Sequence, residues 1–276
     1  YTLSLHDALP ISMGMALGFL LGSLLSATTF SPLLGGWRNV MIAYGVIGAL
    51  FSIPWILART LPSHHHAVGQ NMSMRAAVSH VLQLKNVWLL GFTLFGVGGC
   101  IQGVLGYLPT YLRDIGWEAV RADGALSAFH TISMIFVLPV AIWSDRLGSR
   151  KYLLLIAALM VALGSGLLSF ASGVWIWVAV LMAGFVRDAF MAIFMTMVIE
   201  VDGVGPVYAG TATGFAMAIS ALGNFIAPPL GNSLAVFWPG APFALWAGLT
   251  ILGMACLSLV KERSTNVPNL VLESAI

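Results

Sequence analysis

Residues 210–232 of this chain read GTATGFAMAISALGNFIAPPLGN, and residues 14–36 read GMALGFLLGSLLSATTFSPLLGG. The two stretches lie 196 positions apart, and small residues fall at matching offsets in both. Small residues spaced along an apolar helix let a neighbouring backbone approach closely, and a proline near one end bends or terminates the helix. The pattern predicts a duplicated membrane helix. The defining positions are Gly18, Pro32 and Gly35 in the first copy and Gly214, Gly223, Pro228 and Gly231 in the second.

The composition indicates a membrane protein. Apolar residues make up 59% of the chain and charged residues 8%, and the mean hydropathy is +0.94, whereas about a quarter of the residues in a soluble domain are charged. A bilayer core needs about 20 apolar residues per helix, so the predicted fold class is an all-α membrane protein, a polytopic bundle of about eight transmembrane helices. The net charge of +2 is too small to indicate a nucleic-acid partner.

Short polar turns separate the apolar segments. Residues 74–82, inside the one long polar connection, are expected to form a short amphipathic helix at the membrane interface. Residues 1–12 resemble translated sequencing-adapter read-through, and we interpret them as a non-native leader. The predicted spans are residues 13–34, 40–57, 87–108, 124–143, 152–170, 174–199, 208–230 and 242–260.

Basic residues are unevenly distributed over the turns. If the spans alternate in direction, eight basic residues fall on one side of the membrane and three on the other. Because cytoplasmic loops carry the excess of Lys and Arg, we expect the first side and the carboxyl terminus to be cytoplasmic, in a bacterial or archaeal plasma (inner) membrane. The eight are Arg59, Arg75, Lys85, Arg146, Arg150, Lys151, Lys261 and Arg263, and the three are Arg38, Arg113 and Arg121.

The duplicated pattern resembles the Gly-Pro signature of transmembrane segment 5 in the major facilitator superfamily, where segment 11 is its symmetry mate. Ala27 and Ser31 stand where the family has glycines. Residues 145–151, Asp-Arg-Leu-Gly-Ser-Arg-Lys, resemble the family's cytoplasmic loop motif, with Ser149 in place of an Arg. Residues 106–112 resemble the outer end of segment 7.

The resemblance implies a partial twelve-helix fold. Residues 13–58 would be the last two helices of the N-terminal bundle, so that roughly the first four segments would be absent from this chain. Residues 59–86 would be the cytoplasmic link between the bundles, and residues 87–262 the six-helix C-terminal bundle. Residues 263–276 would be a cytoplasmic tail.

The loop motif supplies candidates for a cytoplasmic gate. The resemblance implies that Asp145 helps to close the inward side by contacting a neighbouring helix end and a loop Arg. A carboxylate is favoured at a helix amino terminus, and basic residues anchor a cytoplasmic loop, so anchoring alone is the alternative. Glu200 and Asp202 are expected at the solvated interface, with a contact to Arg146 or Arg150 as a second interpretation. The gate candidates are Asp145, Arg146, Gly148, Arg150 and Lys151.

Two adjacent charges interrupt an apolar span. Arg187 and Asp188 fall near the middle of residues 174–199, where a charge costs about 2.5 kcal/mol or more and usually faces a cavity or a partner. Arg187 is a candidate ligand for an anion or a substrate carboxylate, and Asp188 for a proton acceptor or the counter-charge to another helix. On a continuous helix the two would diverge by about 100°. A structural ion pair is the alternative.

Three further polar residues lie within spans. His130 could titrate in a cavity because its reference pKa is near 6.5, or could be a neutral histidine bonded to a neighbouring helix. The amides of Gln102 and Asn224 could bind substrate, and bonding between helices explains them equally well. Cys100 and Cys256 lie in apolar segments and are expected to be packing residues rather than a disulfide.

Metal and cofactor sites are not expected. The run His64-His65-His66 lies in the polar link, but three consecutive side chains cannot all face one ion from a regular helix or strand. We therefore interpret it as a solvated loop. The phosphate-binding pattern Gly-x-x-x-x-Gly-Lys-Ser/Thr is missing from the sequence, which removes the nucleotide site that pattern would form.

The leading hypothesis is a secondary active transporter. It would move a small solute, an organic or inorganic anion, through a midplane cavity that opens alternately to each side. Its partners would be the lipid bilayer, the solute and protons. The alternatives are a polytopic membrane enzyme, for which the sequence offers no catalytic motif, and an inert truncated transporter.

Overall fold

The computed structural model describes residue 14 and residues 17–57, 73–147 and 149–261. Every regular element in this part of the chain is helical, which confirms the all-α prediction. In chain order the helices are α1 (Leu17–Leu33, with a π-helical turn at Ser26–Phe30), α2 (Trp37–Leu57), α3 (Met74–Leu82), α4 (Lys85–Asp114), α5 (Ala119–Leu147), α6 (Arg150–Leu168), α7 (Val174–Gly184), α8 (Arg187–Ile199), α9 (Gly205–Ser233) and α10 (Ala241–Leu259).

Each predicted span coincides with a helix or, at residues 174–199, with the two helices α7 and α8. By length and apolar composition, five spans in the described residues can cross a membrane, and α1 with α2 meets the same requirement as a pair bent by 112°. Helix α5 has 29 residues, which is also long enough to cross a bilayer. With α5 added, and with α1 and α2 counted separately, the helices match the eight predicted spans.

The turn between α1 and α2 is shorter than the sequence predicts. Gly35 and Gly36 have φ values of +75° and +130°, a region that residues with a Cβ rarely adopt. The Gly36 N–H donates to the carbonyl of Ser31 at 2.8 Å. Trp37, expected in the turn, therefore begins α2. Gly35 is a turn residue in this structure and not part of a helix-packing surface.

The tightest packing joins α4, α9 and α10. A Cβ added at Gly223 of α9 would collide with the backbone of Phe95 in α4, and one at Gly99 would come within 2.9 Å of the Ala227 Cβ. Helices α4 and α9 therefore approach each other closely at Gly223. Trp246 of α10, fully buried, donates its indole N–H to the Ala227 carbonyl at 2.7 Å.

Other glycines of the duplicated pattern behave differently. A Cβ at Gly231 would collide with the Trp246 ring, whereas Gly18 and Gly214 have open space around them. Pro228 lies inside α9, and Pro32 lies at the start of the last α-helical turn of α1. Gly223 and Gly231 therefore lie against neighbouring helices, whereas a Cβ at Gly18 or Gly214 would meet no atom of the described residues within 4 Å.

Helix α3 has the bounds that the sequence predicts. Its N-cap Ser73 accepts a hydrogen bond from the Ala76 N–H. The ring of His80 stacks on Tyr208 of α9 at 4.1 Å between centroids, and its Nε2 lies 2.8 Å from the carbonyl oxygen of Gly203. The helix thus docks on the α8–α9 turn and on the start of α9. The neighbouring His64–His66 run lies outside the described residues.

Contacts between helix ends fall into two groups. Arg150 at the start of α6 pairs with Glu200 after α8. Lys151 donates to the carbonyls of Ser258 and Val260 at the end of α10, both at 2.7 Å. At the opposite ends, Arg113 of α4 pairs with Asp123 of α5. Each group joins ends that the alternating topology places on the same side of the membrane.

Candidate functional site

The span at residues 174–199 is a single 26-residue span that a two-residue turn interrupts. Helix α7 ends at Gly184, Phe185 and Val186 form a turn, and α8 begins at Arg187. The end of α7 lies close to the α5 backbone, since a Cβ at Gly184 would lie 2.6 Å from the Phe129 carbonyl oxygen. The break places the two charged residues in the first turn of a new helix, where the sequence predicts the middle of a continuous one.

Ser133 of α5 satisfies the amino terminus of α8. Val186, the N-cap residue, has no side chain that could accept a hydrogen bond. Instead the Asp188 N–H donates to Ser133 Oγ at 3.1 Å, and that hydroxyl donates to Asp188 Oδ2 at 2.7 Å. A carboxylate in the first turn also interacts favourably with the helix dipole. Asp188 is therefore held by a side chain from another helix.

Arg187 forms an ion pair with its own neighbour. Its Nη1 donates to Asp188 Oδ1 at 2.9 Å, and the side chains are 13% and 11% exposed. The 100° divergence expected on a continuous helix does not keep them apart, because the long Arg187 side chain starts at the end of the helix and reaches the carboxylate. Removing one partner of a buried pair typically costs about 3–5 kcal/mol.

Helix α1 contributes an aromatic ring to this pair. The guanidinium carbon of Arg187 lies 4.8 Å from the centroid of the Phe19 ring, a cation–π contact worth about 0.5–2 kcal/mol. The same ring stacks on His130 of α5, with 5.5 Å between centroids and 9° between planes. Nearby, Ser23 Oγ lies 3.3 Å from Ser127 Oγ of α5. Helix α1 therefore meets α5 and α8 at this place.

His130 is buried and incompletely hydrogen-bonded. It is 3% exposed, and its Nδ1 has no hydrogen-bond partner among the residues that the structure describes. A buried polar atom without a partner costs about 1–3 kcal/mol, so the ring nitrogen has capacity for a further ligand. His130 also lies within electrostatic reach of Arg187 and Asp188. We refer to Phe19, His130, Ser133, Arg187 and Asp188 as the polar cluster.

The two amide candidates lie away from the polar cluster. Gln102 and Asn224 are both exposed. A Cβ added at Gly98, one helical turn before Gln102, would lie 3.0 Å from Asn224 Oδ1, so both amides are on the same side of the α4–α9 pair. No contact among the described residues joins either of them to the polar cluster.

The gate motif is only partly visible. The side chains of Asp145 and Arg146, and Gly148, lie outside the described residues. Arg150 forms an ion pair with Glu200. Glu200 was expected mainly in contact with solvent, and a contact with Arg150 was the second interpretation given for it. Lys151 donates to two carbonyls at the carboxyl terminus of α10, an interaction typical of basic residues near helix carboxyl termini.

Sequence reasoning missed Ser133 and Phe19. Ser127, His130 and Ser133 recur every three residues along α5, and this polar stripe on one helix face was the available signal for Ser133. Nothing in the sequence separates Phe19 from the other aromatic residues of apolar segments. Cys100 is buried and Cys256 is half-buried, and both are free in the described part of the chain. The described residues contain no group of three side chains that could hold a metal ion.

The apolar helices and the buried ion pair define a polytopic membrane protein. A sequence model described as Major Facilitator Superfamily matches residues 9–203 and residues 124–274, which together cover most of the chain. The chain belongs to this superfamily, as the small-residue pattern and the loop motif predict.

Proteins named as transporters are among its relatives. The chain is 24% identical over 241 residues to the Inner membrane transport protein RhmT of Escherichia coli, covering 77% of this chain and 56% of that protein. It is 23% identical over 237 residues to the Uncharacterized transporter slc-17.2 of Caenorhabditis elegans, covering 72% and 46%. The Putative transporter AraJ of Escherichia coli is 26% identical over 156 residues, covering 54% and 38%. The chain thus spans about half the length of these relatives.

Proposed function

We propose that this chain belongs to a secondary active transporter that moves a small anion by alternating access, driven by protons. The observation that carries the proposal is the buried pair of Arg187 and Asp188 at the break between α7 and α8. Charged residues inside membrane spans commonly mark solute or proton pathways. Broken helices at the bilayer midplane are a recurring way to build transporter sites.

The chemistry of the polar cluster favours an anionic solute. A guanidinium presents five N–H donors that match carboxylate and phosphate oxygens, and in the described part of the chain Arg187 uses its side-chain donors only toward Asp188. The unpartnered nitrogen of His130 is a second polar contact for a ligand. Gln102 and Asn224, exposed on the α4–α9 pair, are proposed to line the same transport pathway.

The proposed architecture has two bundles, with residues 13–58 in one and residues 87–262 in the other, joined by the link at residues 59–86. The contacts of α1 with α5 and α8 would then lie between the bundles. Asp145, Arg146, Gly148, Arg150 and Lys151 are proposed to control the cytoplasmic side, together with the Arg150–Glu200 ion pair. The proposed location is a bacterial or archaeal inner membrane, with the carboxyl terminus in the cytoplasm.

Uptake by proteoliposomes tests the proposal. The protein is reconstituted, a pH gradient is imposed, and accumulation of radiolabelled lactate, gluconate, succinate and phosphate is measured. At least one of these anions should accumulate unmodified, and a protonophore should abolish the accumulation. Arg187→Gln should abolish it as well, because the site then lacks its positive charge.

Arg121→Gln is the matched control. Arg121 is exposed and stacks over Trp117 at 5.0 Å, near the start of α5, so its loss should leave uptake unchanged. Failure of all four anions to accumulate would count against an anion transporter. Chemical conversion of an anion without accumulation would support a membrane enzyme instead.

A further inference from the structure

The polar cluster contains one positive and one negative charge, and both are nearly buried. Arg187 and Asp188 neutralise each other at 2.9 Å, and no other ionised side chain contacts them in the described part of the chain. An anion that binds Arg187 would place a second negative charge beside the Asp188 carboxylate. Two carboxylates that share a buried site strongly favour protonation of one of them.

We propose that Asp188 takes up one proton for each monocarboxylate anion that Arg187 binds, so that anion and proton are bound as a neutral pair. This inference rests on the proposed function and names its substrate class and coupling residue. A singly charged anion is specified because protonation of Asp188 leaves one uncompensated positive charge, that of Arg187. A dianion would leave a net negative charge in the site.

The exchange balances in charge and in hydrogen bonds. The Asp188 carboxylate accepts a proton from solvent and becomes a neutral carboxyl group, and its Oδ1 releases the Arg187 Nη1 donor. A carboxylate oxygen of the bound anion then accepts that donor. Ser133 keeps its contact with the Asp188 N–H, so Asp188 stays in place. The Nδ1 of His130, which is buried and has no hydrogen-bond partner in the described part of the chain, is proposed to donate to the second oxygen of the anion.

The other titratable groups on the helices that pack against α8 either pair with residues outside the polar cluster or lie elsewhere on those helices. Asp123 pairs with Arg113, and Arg150 pairs with Glu200 at the far end of α8. The side chains of Asp145 and Arg146 lie outside those described. The remaining groups are Lys85, Cys100, Tyr107, Tyr111 and Asp114 on α4, Arg121 on α5, Lys151 and Tyr152 on α6 and Tyr208 on α9.

Linkage makes this exchange measurable at equilibrium. If anion binding takes up one proton, protonation must strengthen anion binding by the same factor. The affinity for a monocarboxylate should therefore fall by about tenfold per pH unit where free Asp188 is ionised and the bound form is protonated. Without the coupled proton, the affinity would not depend on pH in this way.

Calorimetric titration of the purified protein tests the inference. Lactate and gluconate are titrated at neutral pH in two buffers that differ in ionisation enthalpy, and the difference gives the protons taken up per anion. We expect one proton for the unaltered protein. Asp188→Asn should still bind the anion, with no proton uptake and no dependence on pH, and Arg187→Gln should bind none. His130→Ala should lower the affinity by about tenfold and leave the proton count at one, because it loses one neutral hydrogen bond.

Several results would overturn the inference. One proton taken up by Asp188→Asn would assign the proton to another group. If the unaltered protein takes up no proton, or binds neither monocarboxylate, the proposed coupling is refuted without measurements on a variant. Because binding is measured in detergent without a gradient, it can succeed when uptake by proteoliposomes fails. The two proposals can therefore fail separately.

Discussion

At the scale of single residues, one hydroxyl group organises the buried charge. Ser133 Oγ both accepts the Asp188 N–H and donates to the Asp188 carboxylate. The same serine therefore takes the place of an N-cap side chain for α8, although it belongs to α5. Asp188 in turn binds the Arg187 guanidinium, which also contacts the Phe19 ring. The position of the guanidinium therefore depends on Asp188 and Phe19 and, through Asp188, on Ser133.

Replacing Ser133 with Ala should therefore destabilise the protein. The Asp188 N–H and carboxylate would each lose a buried partner, for which about 1–3 kcal/mol is typical. The melting temperature of the purified protein in detergent should fall, and the pH dependence of anion binding should change because Asp188 loses a donor to its charged form. Both quantities can be measured by thermal unfolding and calorimetry.

Thr131→Ala is the matched control for Ser133→Ala. Thr131 lies two residues away on α5, and among the described residues its hydroxyl donates only to the Ser127 carbonyl of its own helix. Its loss should change the melting temperature by little. Equal effects of the two substitutions would contradict the special role of the Ser133 hydroxyl.

The sequence allowed the charged residues of the polar cluster to be predicted, but not their partners. Arg187, Asp188 and His130 stand out because polar groups are costly in an apolar span. Ser133 and Phe19 do not, since serine and phenylalanine are ordinary residues of membrane helices. Their importance arises from the positions of α1 and α5 relative to α8, which depend on tertiary packing.

At the scale of helices, glycine positions determine how closely α4 and α9 approach. At Gly223, which has no Cβ, the surface of α9 lies against the Phe95 backbone. A Cβ added at Gly214, nine residues earlier on the same helix, would meet no atom of the described residues within 4 Å. The two glycines share a sequence pattern but differ in surroundings. This difference provides a matched pair of substitutions.

Gly223→Ala should destabilise the protein by about 1–3 kcal/mol, because a methyl group would press on backbone atoms that cannot move aside independently. Gly214→Ala should be neutral or stabilising by up to about 1 kcal/mol, because alanine has the higher helix propensity. Thermal unfolding in detergent measures both. A lower melting temperature for Gly214→Ala than for Gly223→Ala would contradict the packing that the structure describes.

The positions of the helices could be predicted from the sequence, but the break between α7 and α8 could not. Apolar length and turn residues predicted the helices at the level of whole spans, including α3 with its bounds at Met74 and Leu82. The break at Phe185 and Val186 contains no proline, and the single glycine before it, Gly184, is a weak signal by itself. It occurs where Gly184 packs on α5 and where Ser133 satisfies the new helix terminus, and both contacts are remote in sequence.

At the scale of the whole molecule, contacts at the helix ends agree with alternating topology. The Arg150–Glu200 and Lys151 contacts lie on the side with excess basic residues, and the Arg113–Asp123 pair lies on the other. The small-residue pattern and the loop motif were sufficient to predict the superfamily. They could not identify the solute, because solute specificity depends on the few side chains that converge in the folded protein.

Cysteine labelling tests the orientation. In a protein with Cys100 and Cys256 replaced by alanine, Ser172→Cys places a thiol in the α6–α7 turn and Asp202→Cys places one in the α8–α9 turn, both at exposed positions. A membrane-impermeant maleimide added to intact cells should label Ser172→Cys. It should label Asp202→Cys only after the membrane is permeabilised, because of the predicted excess of basic residues on that side.

The cysteine-free parent should remain unlabelled throughout. Labelling of Asp202→Cys on intact cells, with protection of Ser172→Cys, would invert the proposed topology. Equal labelling of both would show that the reagent crosses the membrane, and a larger charged maleimide would then replace it.

The Trp246 side chain restricts how this protein can change shape. Its indole fills the space left by the missing side chains of Gly103 on α4 and Gly231 on α9. Sliding of either helix past α10 would therefore require the indole to leave the space that these glycines provide. These three helices should therefore travel as a rigid body. Larger displacements are expected along the boundary formed by Phe19 and Ser23, where an aromatic stack and a hydroxyl contact can re-form at a new position.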